Sequence, residues 1–353
     1  MCDHHERQPI FCLIPPYLLD QIARHGSKSQ RDAALRTRAK DSTFRALRMV
    51  TKPSRGPAQL VATGASGKRR SIYSADGSDT LPGRLIRGEG QPVSGDPAVD
   101  EAYAALGATF DFFAEVFDRN SIDDAGMALD ATVHFGHDYN NAFWNSAQMV
   151  FGDGDQLLFN RFTIALDVIG HELSHGVTED EARLLYFNQP GALNESLSDV
   201  FGSLIKQYAL KQKAEDADWL IGKGLFTKKV KGTALRSMKA PGTAFDDPVL
   251  GKDPQPGHMD DFVHTYDDNG GVHINSGIPN HAFYQVATAI GGYAWEAAGR
   301  IWYDALRDSR LRTNAGFSLF ARITHDVAGR LYGTGKHEHK AVKAGWAAVG
   351  IKV

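Results

Sequence analysis

The sequence predicts an α+β fold of two lobes, the first β-rich and the second mainly α-helical, with a buried helix between them and a short leader in front. Three observations predict it. Residues 51 to 95 set short apolar runs among Gly, Pro, Ser and Thr, the pattern of strands and turns, and further strand patterns follow up to Phe151. Beyond residue 160 apolar residues recur at helical spacing instead. At the junction, Phe162 to Val177 is apolar almost throughout, as in a helix buried on most of its circumference. With 353 residues, 42% of them apolar, the chain can bury a large core and divide into more than one domain.

The leader is read first. Pro15, Pro16 and Tyr17 precede Leu18, Leu19 and Ile22, which predicts an extended segment running into a short helix, then a basic helical or linker stretch to about Met49. Residues 1–60 hold 11 Lys/Arg against 5 Asp/Glu, a net of +6, so the remainder carries −9 of the total −3. A basic arm can therefore dock on an acidic body. The first twenty residues lack a continuous apolar core and a small-residue cleavage site, so no secretory signal is recognisable. The only cysteines are Cys2 and Cys12, and everything after them folds without a disulfide. The compartment stays open between export without a recognisable signal and the cytoplasm. No apolar stretch is long enough to span a membrane, and the expectation is a monomer with no nucleic-acid partner and no membrane insertion.

The elements follow in order. Strands are expected around Leu60-Val61 and Ser71-Ile72-Tyr73. Asp96-Pro97 starts a helix carrying Ala102, Leu106, Phe110, Phe113 and Phe117, to about Asp118. Val133-His134-Phe135 and Gln148 to Phe151 look like strands. After the helix Phe162 to Val177 comes another with Leu197, Val200, Phe201, Leu204, Ile205 and Tyr208 on one face. Ser237 to Asn269 is Pro/Gly/Asp-rich and long for a connection, a length associated with function. Helices are expected over Ile278 to Ile290, Phe317 to Leu331 and Lys340 to Val349, with no internal repeat.

His171-Glu172-Leu173-Ser174-His175 has the H-E-x-x-H form. Residues four apart share a helical face, so both imidazoles can reach one zinc while Glu172, one step round, faces the water to be activated. A five-residue match alone is weak, because two helical histidines can simply be polar surface or satisfied core. A catalytic zinc needs a third protein ligand and an open position. Asn194-Glu195 and Ser198-Asp199 supply the candidates: Glu195 as ligand, with Asp199 and Asn194 behind it to fix the histidine tautomers.

With these, the sequence resembles the thermolysin family from about Tyr73 to the C-terminus. The matching blocks are Asn141-Ala142-Phe143-Trp144, the H-E-x-x-H run, Gly191 to Asp199, Leu235-Arg236-Ser237-Met238, and Asp268 to Gly277. The resemblance implies a thermolysin-like two-lobe fold with the zinc-binding helix between the lobes. It also implies a neutral zinc metalloendopeptidase acting on peptide or protein substrates. Its metal ligands would be His171, His175 and Glu195, its general base Glu172, and its oxyanion donors His273, oriented by Asp268, and Tyr186. Asn141 and Ala142 would clamp the substrate main chain, and Arg236 would bind a substrate carbonyl. Phe159, Val168, Ile221, Leu225 and Leu235 would line a pocket for a bulky apolar residue after the cut. Each of these five reads equally well as ordinary core.

Two departures are informative. The family's paired calcium site uses acids at positions that here read Asp167, Lys206, Asp218, Leu220 and Lys223, and another calcium position is Thr233. Lys206 and Lys223 can neutralise Asp167 and Asp218 directly, so structural calcium is expected to be absent. The leader with Pro15-Pro16-Tyr17-Leu18 resembles the protealysin branch, which implies a short propeptide, residues 1–50, lying in the cleft and inhibiting in cis. The lobes would then span 51–185 and 186–353. Cys12 as a blocking zinc thiolate is the alternative. Rival functions are an inactive peptide-binding module on the same fold, which would not need Glu172, His273 and Tyr186, and an exopeptidase or amidase with the same zinc core.

Overall fold

The computed structural model describes residues 11–50 and 67–353. Six strands form the sheet of the first lobe: β1 (Phe11–Cys12), β2 (Arg70–Ser74), β3 (Arg84–Gly88), β4 (Leu129–Val133), β5 (Ala142–Trp144) and β6 (Met149–Phe151), in the order β1-β5-β6-β4-β2-β3. β4 runs parallel to β2 and β6, and the remaining pairs are antiparallel. β1 lies at the edge on β5, with Phe11 opposite Trp144 and Cys12 opposite Phe143. The strands expected at Leu60-Val61 lie outside the described residues, as does the chain just beyond the expected boundary at residue 50.

The predicted break into a helix at Pro15-Pro16 is found. Pro15 is extended at ψ 152°, Pro16 opens α1 (Pro16–His25), and Leu18, Leu19 and Ile22 are buried. Proline is favoured there because its missing N–H is one the first turn leaves unpaired anyway. The basic stretch that follows is α2 (Lys28–Val50).

α3 (Pro97–Phe117) starts as the sequence predicts: the Asp96 side chain accepts from Ala98 N at 2.9 Å, and Asp118 closes the helix in the left-handed region. Two strand and helix ends differ from expectation. β4 stops at Val133 because His134 takes φ 54° and its ring is held between Asp96 and Asp153. The helix expected from Phe162 is interrupted: Phe162–Ile164 is a single 3-10 turn, Ala165 is extended, and α4 (Leu166–Glu181) begins after it. Phe162 N is drawn away to Gly152 O at 3.1 Å, a tertiary pairing that periodicity cannot register.

α4 packs along α5 (Asn188–Leu210) at close quarters. A Cβ on Gly202 would sit 2.3 Å from Asp167 O, and one on Gly170 2.8 Å from Ile205 Cδ1. These glycines let the two backbones approach until side chains from both helices meet in one place. A two-stranded ribbon of β7 (Leu220–Ile221) and β8 (Arg236–Ser237) brings Arg236 to the same region.

The second lobe contains α6 (Asp268–Asn275), α7 (Gly277–Ile290), α8 (Ala297–Leu306), α9 (Phe317–Tyr332) and α10 (His337–Ala348). Three of these match the expected helices within three residues at either end. α8 was not expected, and α6 falls where a Gly-rich turn was. One continuous apolar core runs through both lobes and includes Leu13, Ile14, Leu18, Leu19 and Ile22 from the N-terminal segment. Among the described residues no helix is long and apolar enough to cross a membrane.

Candidate active site

His171 and His175 project from α4 and Glu195 from α5, and all three are buried, at 1% exposure each. Their ligand atoms lie within 4.8 Å of one another. His171 Nε2 is 3.4 Å from Glu195 Oε2, His175 Nε2 is 3.5 Å from Glu195 Oε1, and the two Nε2 atoms are 3.1 Å apart. Among the described residues no other group of His, Cys, Asp or Glu has this geometry.

The opposite ring nitrogens are held as the sequence predicts. His171 Nδ1 meets Asp199 Oδ1 at 2.7 Å, and His175 Nδ1 meets Asn194 Oδ1 at 2.7 Å. Both oxygens accept, so both Nδ1 atoms carry hydrogen and the Nε2 lone pairs converge. Two lone pairs and a carboxylate aimed at one point in a dry interior need a cation between them. The donor set of two imidazoles and one carboxylate is that of a catalytic zinc site. These residues fit the metal.

Asp199 accepts three further hydrogen bonds. Arg236 donates through Nε and Nη2 at 2.8 Å each, and Asn280 Nδ2 donates at 2.8 Å. Burial would raise the Asp199 carboxyl, but Arg236 and His171 hold it well below the usual carboxylate range. Asn280 carries no motif signal and was not foreseen.

Glu172 sits one step round α4, fully buried. Its Oε2 accepts from Trp144 N at 3.1 Å, a backbone contact the sequence could not disclose. Its Oε1 is buried without a hydrogen-bond partner among the described residues. Burial pushes the carboxyl up to about 8, with the charge of Glu195 adding to the effect. A carboxylate with one free oxygen and a raised pKa suits a group that takes up and returns a proton near neutral pH.

His273 and Tyr186 approach the same point from the second lobe. Asn269, Gly270 and Gly271 form a left-handed turn in α6, with φ 51°, 81° and 74°. That turn folds Asp268 back so that its carboxylate accepts from His273 N at 2.9 Å and from His273 Nδ1 at 2.6 Å. Burial opposes protonation of the ring, yet Asp268 and Glu195 raise its pKa. His273 Nε2 then donates to the Cys12 carbonyl at 3.2 Å. The Tyr186 hydroxyl is 3.2 Å from His273 Nε2 and donates to Glu195 Oε1.

The N-terminal segment enters this site along β5. Leu13 N donates to Ala142 O at 3.1 Å, and Ile14 N donates to Asn141 Oδ1 at 2.8 Å. Cys12, Leu13 and Ile14 thus make the contacts to His273, Ala142 and Asn141. Pro15 and Pro16 follow at the start of α1, and the next residue, Tyr17, has its hydroxyl pKa pushed up by burial and by the nearby Asp268 and Asp253 carboxylates, so the proline motif lies beside the same site. The blocking-thiolate alternative finds no support, since the Cys12 side chain packs in an apolar cluster with Phe135, Tyr139 and Phe143 and is outside the donor group.

The five expected pocket residues are all buried in the shared core. Leu225 and Leu235 methyl carbons both reach within 3.0 Å of where a Cβ on Gly222 would be, and Phe159 packs on Phe226 with ring centroids 5.7 Å apart. Arg236, expected on substrate, is held by a paired contact to Asp199.

Lys206 donates to Asp167 at 2.7 Å, to Asp218 at 3.0 Å and to Leu220 O at 2.6 Å. Lys223, expected to share that task, reaches only Asp218, at 3.3 Å, and is mostly exposed. One ammonium does the work expected of two because it lies between the two acids.

Residues 29–179 match the model of the thermolysin metallopeptidase catalytic domain, and residues 182–351 match that of the thermolysin metallopeptidase alpha-helical domain. An extracellular metalloprotease of Pectobacterium carotovorum is 53% identical over 98% of both chains. Thermolysin of Alicyclobacillus acidocaldarius is 38% identical over 79% of this chain and 51% of its own length. Among solved structures, the precursor of protealysin, a metalloproteinase from Serratia proteamaculans, is 54% identical over 97% of this chain and 99% of its own, with a TM-score of 0.87.

Proposed function

The chain belongs to the thermolysin metallopeptidase family, in its protealysin branch, and is a zinc-dependent neutral metalloendopeptidase made as a precursor; from that premise we propose which residues carry the reaction and how the precursor is silenced. His171, His175 and Glu195 hold the zinc. The observation that carries this is the convergence of two Nε2 lone pairs and one carboxylate, with the unpartnered Glu172 Oε1 in the same buried site.

When bound, zinc supplies a Lewis acid that polarises the scissile carbonyl and acidifies water. Glu172 takes the proton of the attacking water and passes it to the leaving amine. His273, kept protonated by Asp268, donates through Nε2 to the carbonyl oxygen as it gains charge, and the Tyr186 hydroxyl adds a second donor. Asn194 and Asp199 fix the ligand tautomers.

A substrate adds to β5 as an antiparallel strand, as β1 does here, with Ala142 O and Asn141 Oδ1 accepting its amides. Arg236, on the β7–β8 ribbon and held by Asp199, binds a substrate carbonyl beside the cut. Phe159, Val168, Ile221, Leu225 and Leu235 favour a bulky apolar residue on the far side of the cut. That Leu13 and Ile14 are fully buried in the same core supports an apolar preference. No structural calcium is required, because Lys206 neutralises the acids.

Residues 1–50 act as an inhibitory propeptide in cis, and the lobes divide near residue 185. Export is supported by the names of relatives called extracellular metalloproteases. The test is to follow intact mass and peptide hydrolysis together from freshly made precursor. Hydrolysis should rise only as mass is lost from the N-terminus, and a Glu172→Gln chain should do neither. Full hydrolysis at unchanged mass would overturn the inhibitory role.

A further inference from the structure

The contact between the N-terminal segment and the cleft is made twice, once by β1 directly and once at a distance by α2. One face of α2 follows the loop that leads into β5. Arg36 pairs with Asp138 at 2.9 Å, Thr37 Oγ1 accepts from Asn140 N at 3.0 Å, and Phe44 packs on Phe143 with centroids 5.2 Å apart. At the centre of this face is Asp41, a carboxylate only 2% exposed. It accepts from the Tyr139 hydroxyl at 2.5 Å and from Asn141 Nδ2 at 2.9 Å.

We propose that Asp41 is a positioning residue which couples the docking of α2 to the grip on the cleft strand by fixing the orientation of the Asn141 carboxamide. The inference rests on the reading of residues 1–50 as a propeptide. A carboxamide is a donor on one side and an acceptor on the other, and a half-turn exchanges them. Asp41 accepts from both neighbours, so it holds the Asn141 NH2 toward α2. The amide oxygen is thereby turned to the opposite side, where it accepts from Ile14 N at 2.8 Å and from Ala142 N at 2.9 Å. The same NH2 also donates to Ile14 O at 3.3 Å, so without Asp41 only that longer bond holds it and the carboxamide turns more readily, and the turned form presents a donor to the Ile14 N–H. Release of α2 then weakens the hold on residues 13 and 14 without any cut inside the cleft, so activation reaches the site from outside it.

The experiment is residue-resolved hydrogen exchange on the full chain carrying Glu172→Gln, so that no processing intervenes. Asp41→Ala should speed exchange of the Ile14 amide about tenfold, the worth of one buried hydrogen bond. Arg36→Ala, which removes an exposed pair from the same helix face, should leave it unchanged. Asp41→Asn should preserve most of the protection, because its oxygen can accept from Asn141 while its NH2 donates to Tyr139. Adding Asp41→Ala to Asn141→Ala should change Ile14 no further. Unchanged Ile14 exchange in Asp41→Ala overturns the coupling, as does loosening of all α2 amides to the same degree, or an Asp41→Asn chain as loose as Asp41→Ala. If Ile14 and Leu13 are unprotected before any Asp41 change, it is the occupied cleft that fails.

Discussion

Lys206 Nζ lies 2.7 Å from Asp167 and 3.0 Å from Asp218, so a fixed ammonium occupies the space between two acids that a divalent cation would otherwise bridge. Burial would lower the Lys206 pKa, but Asp167 and Asp218 raise it, and the charge is secure at neutral pH. A calcium-selective chelator should therefore leave the melting temperature unchanged. Lys206→Ala should cost about 3 kcal/mol in chemical denaturation, because it strands the buried Asp167 carboxylate. Lys206→Asp should make stability rise with added calcium; a calcium-dependent wild type would show that the acids have another partner.

Glu172→Gln should retain zinc in metal analysis while losing about 10²–10⁴-fold in turnover, since the three ligands remain and only proton transfer is removed. An active Glu172→Gln enzyme would falsify the assignment of the base. A zinc chelator should abolish activity in the wild type, and added zinc should restore it.

Asp199→Asn should weaken zinc binding by about 10–100-fold. The carboxylate gathers His171, Arg236 and Asn280, and an amide there can no longer accept from all three. Competition with a chelator of known affinity measures it, and unchanged zinc affinity would remove Asp199 from the ligand support.

Charged residues at the cleft-lying positions should unlock the precursor. Leu13→Asp with Ile14→Asp should raise initial hydrolysis by the unprocessed chain, because both side chains are fully buried against the body. Pro16→Ala with Tyr17→Ala should also raise it, because Tyr17 is buried within reach of the Asp268 and Arg236 charges. Cys12→Ser should change little. Release by Cys12→Ser alone would restore the thiolate as the blocking group.

His134 bridges Asp153 and Asp96 at 2.8 Å each, and these contacts, Asp153 first, raise its pKa to about 9. The folded value lies above the ordinary 6.5, so the stabilisation is complete below about pH 6.5 and is lost as pH rises through about 9. His134→Gln should cost about 1–2 kcal/mol at pH 6, discounted for partly exposed partners, and little at pH 10. An equal cost at both values would mean the ring acts by packing alone.

The candidate metal ligands and their supports were legible from local spacing alone. The His171/His175 spacing and the Asn194–Asp199 run are helix-periodic, and helical periodicity is local, so donors placed four apart must share a face wherever the helix goes. The two-lobe change of pattern near residue 160 and the Asp96-Pro97 helix start were legible for the same reason. Contacts between segments far apart in the chain were not legible in that way. Glycines 170 and 202 bring two helices close enough for one metal site, and neither position reveals its partner in the sequence. Phe162 and His134 leave their expected elements because distant groups hold them, against a local pattern that continues. The proline motif was visible, but which residues cross the cleft depended on where α1 begins and on register with β5. Asp41 and Asn280 carry no motif, because a lone polar residue on a helix reads as surface until another element covers it, and that covering is a property of the fold alone.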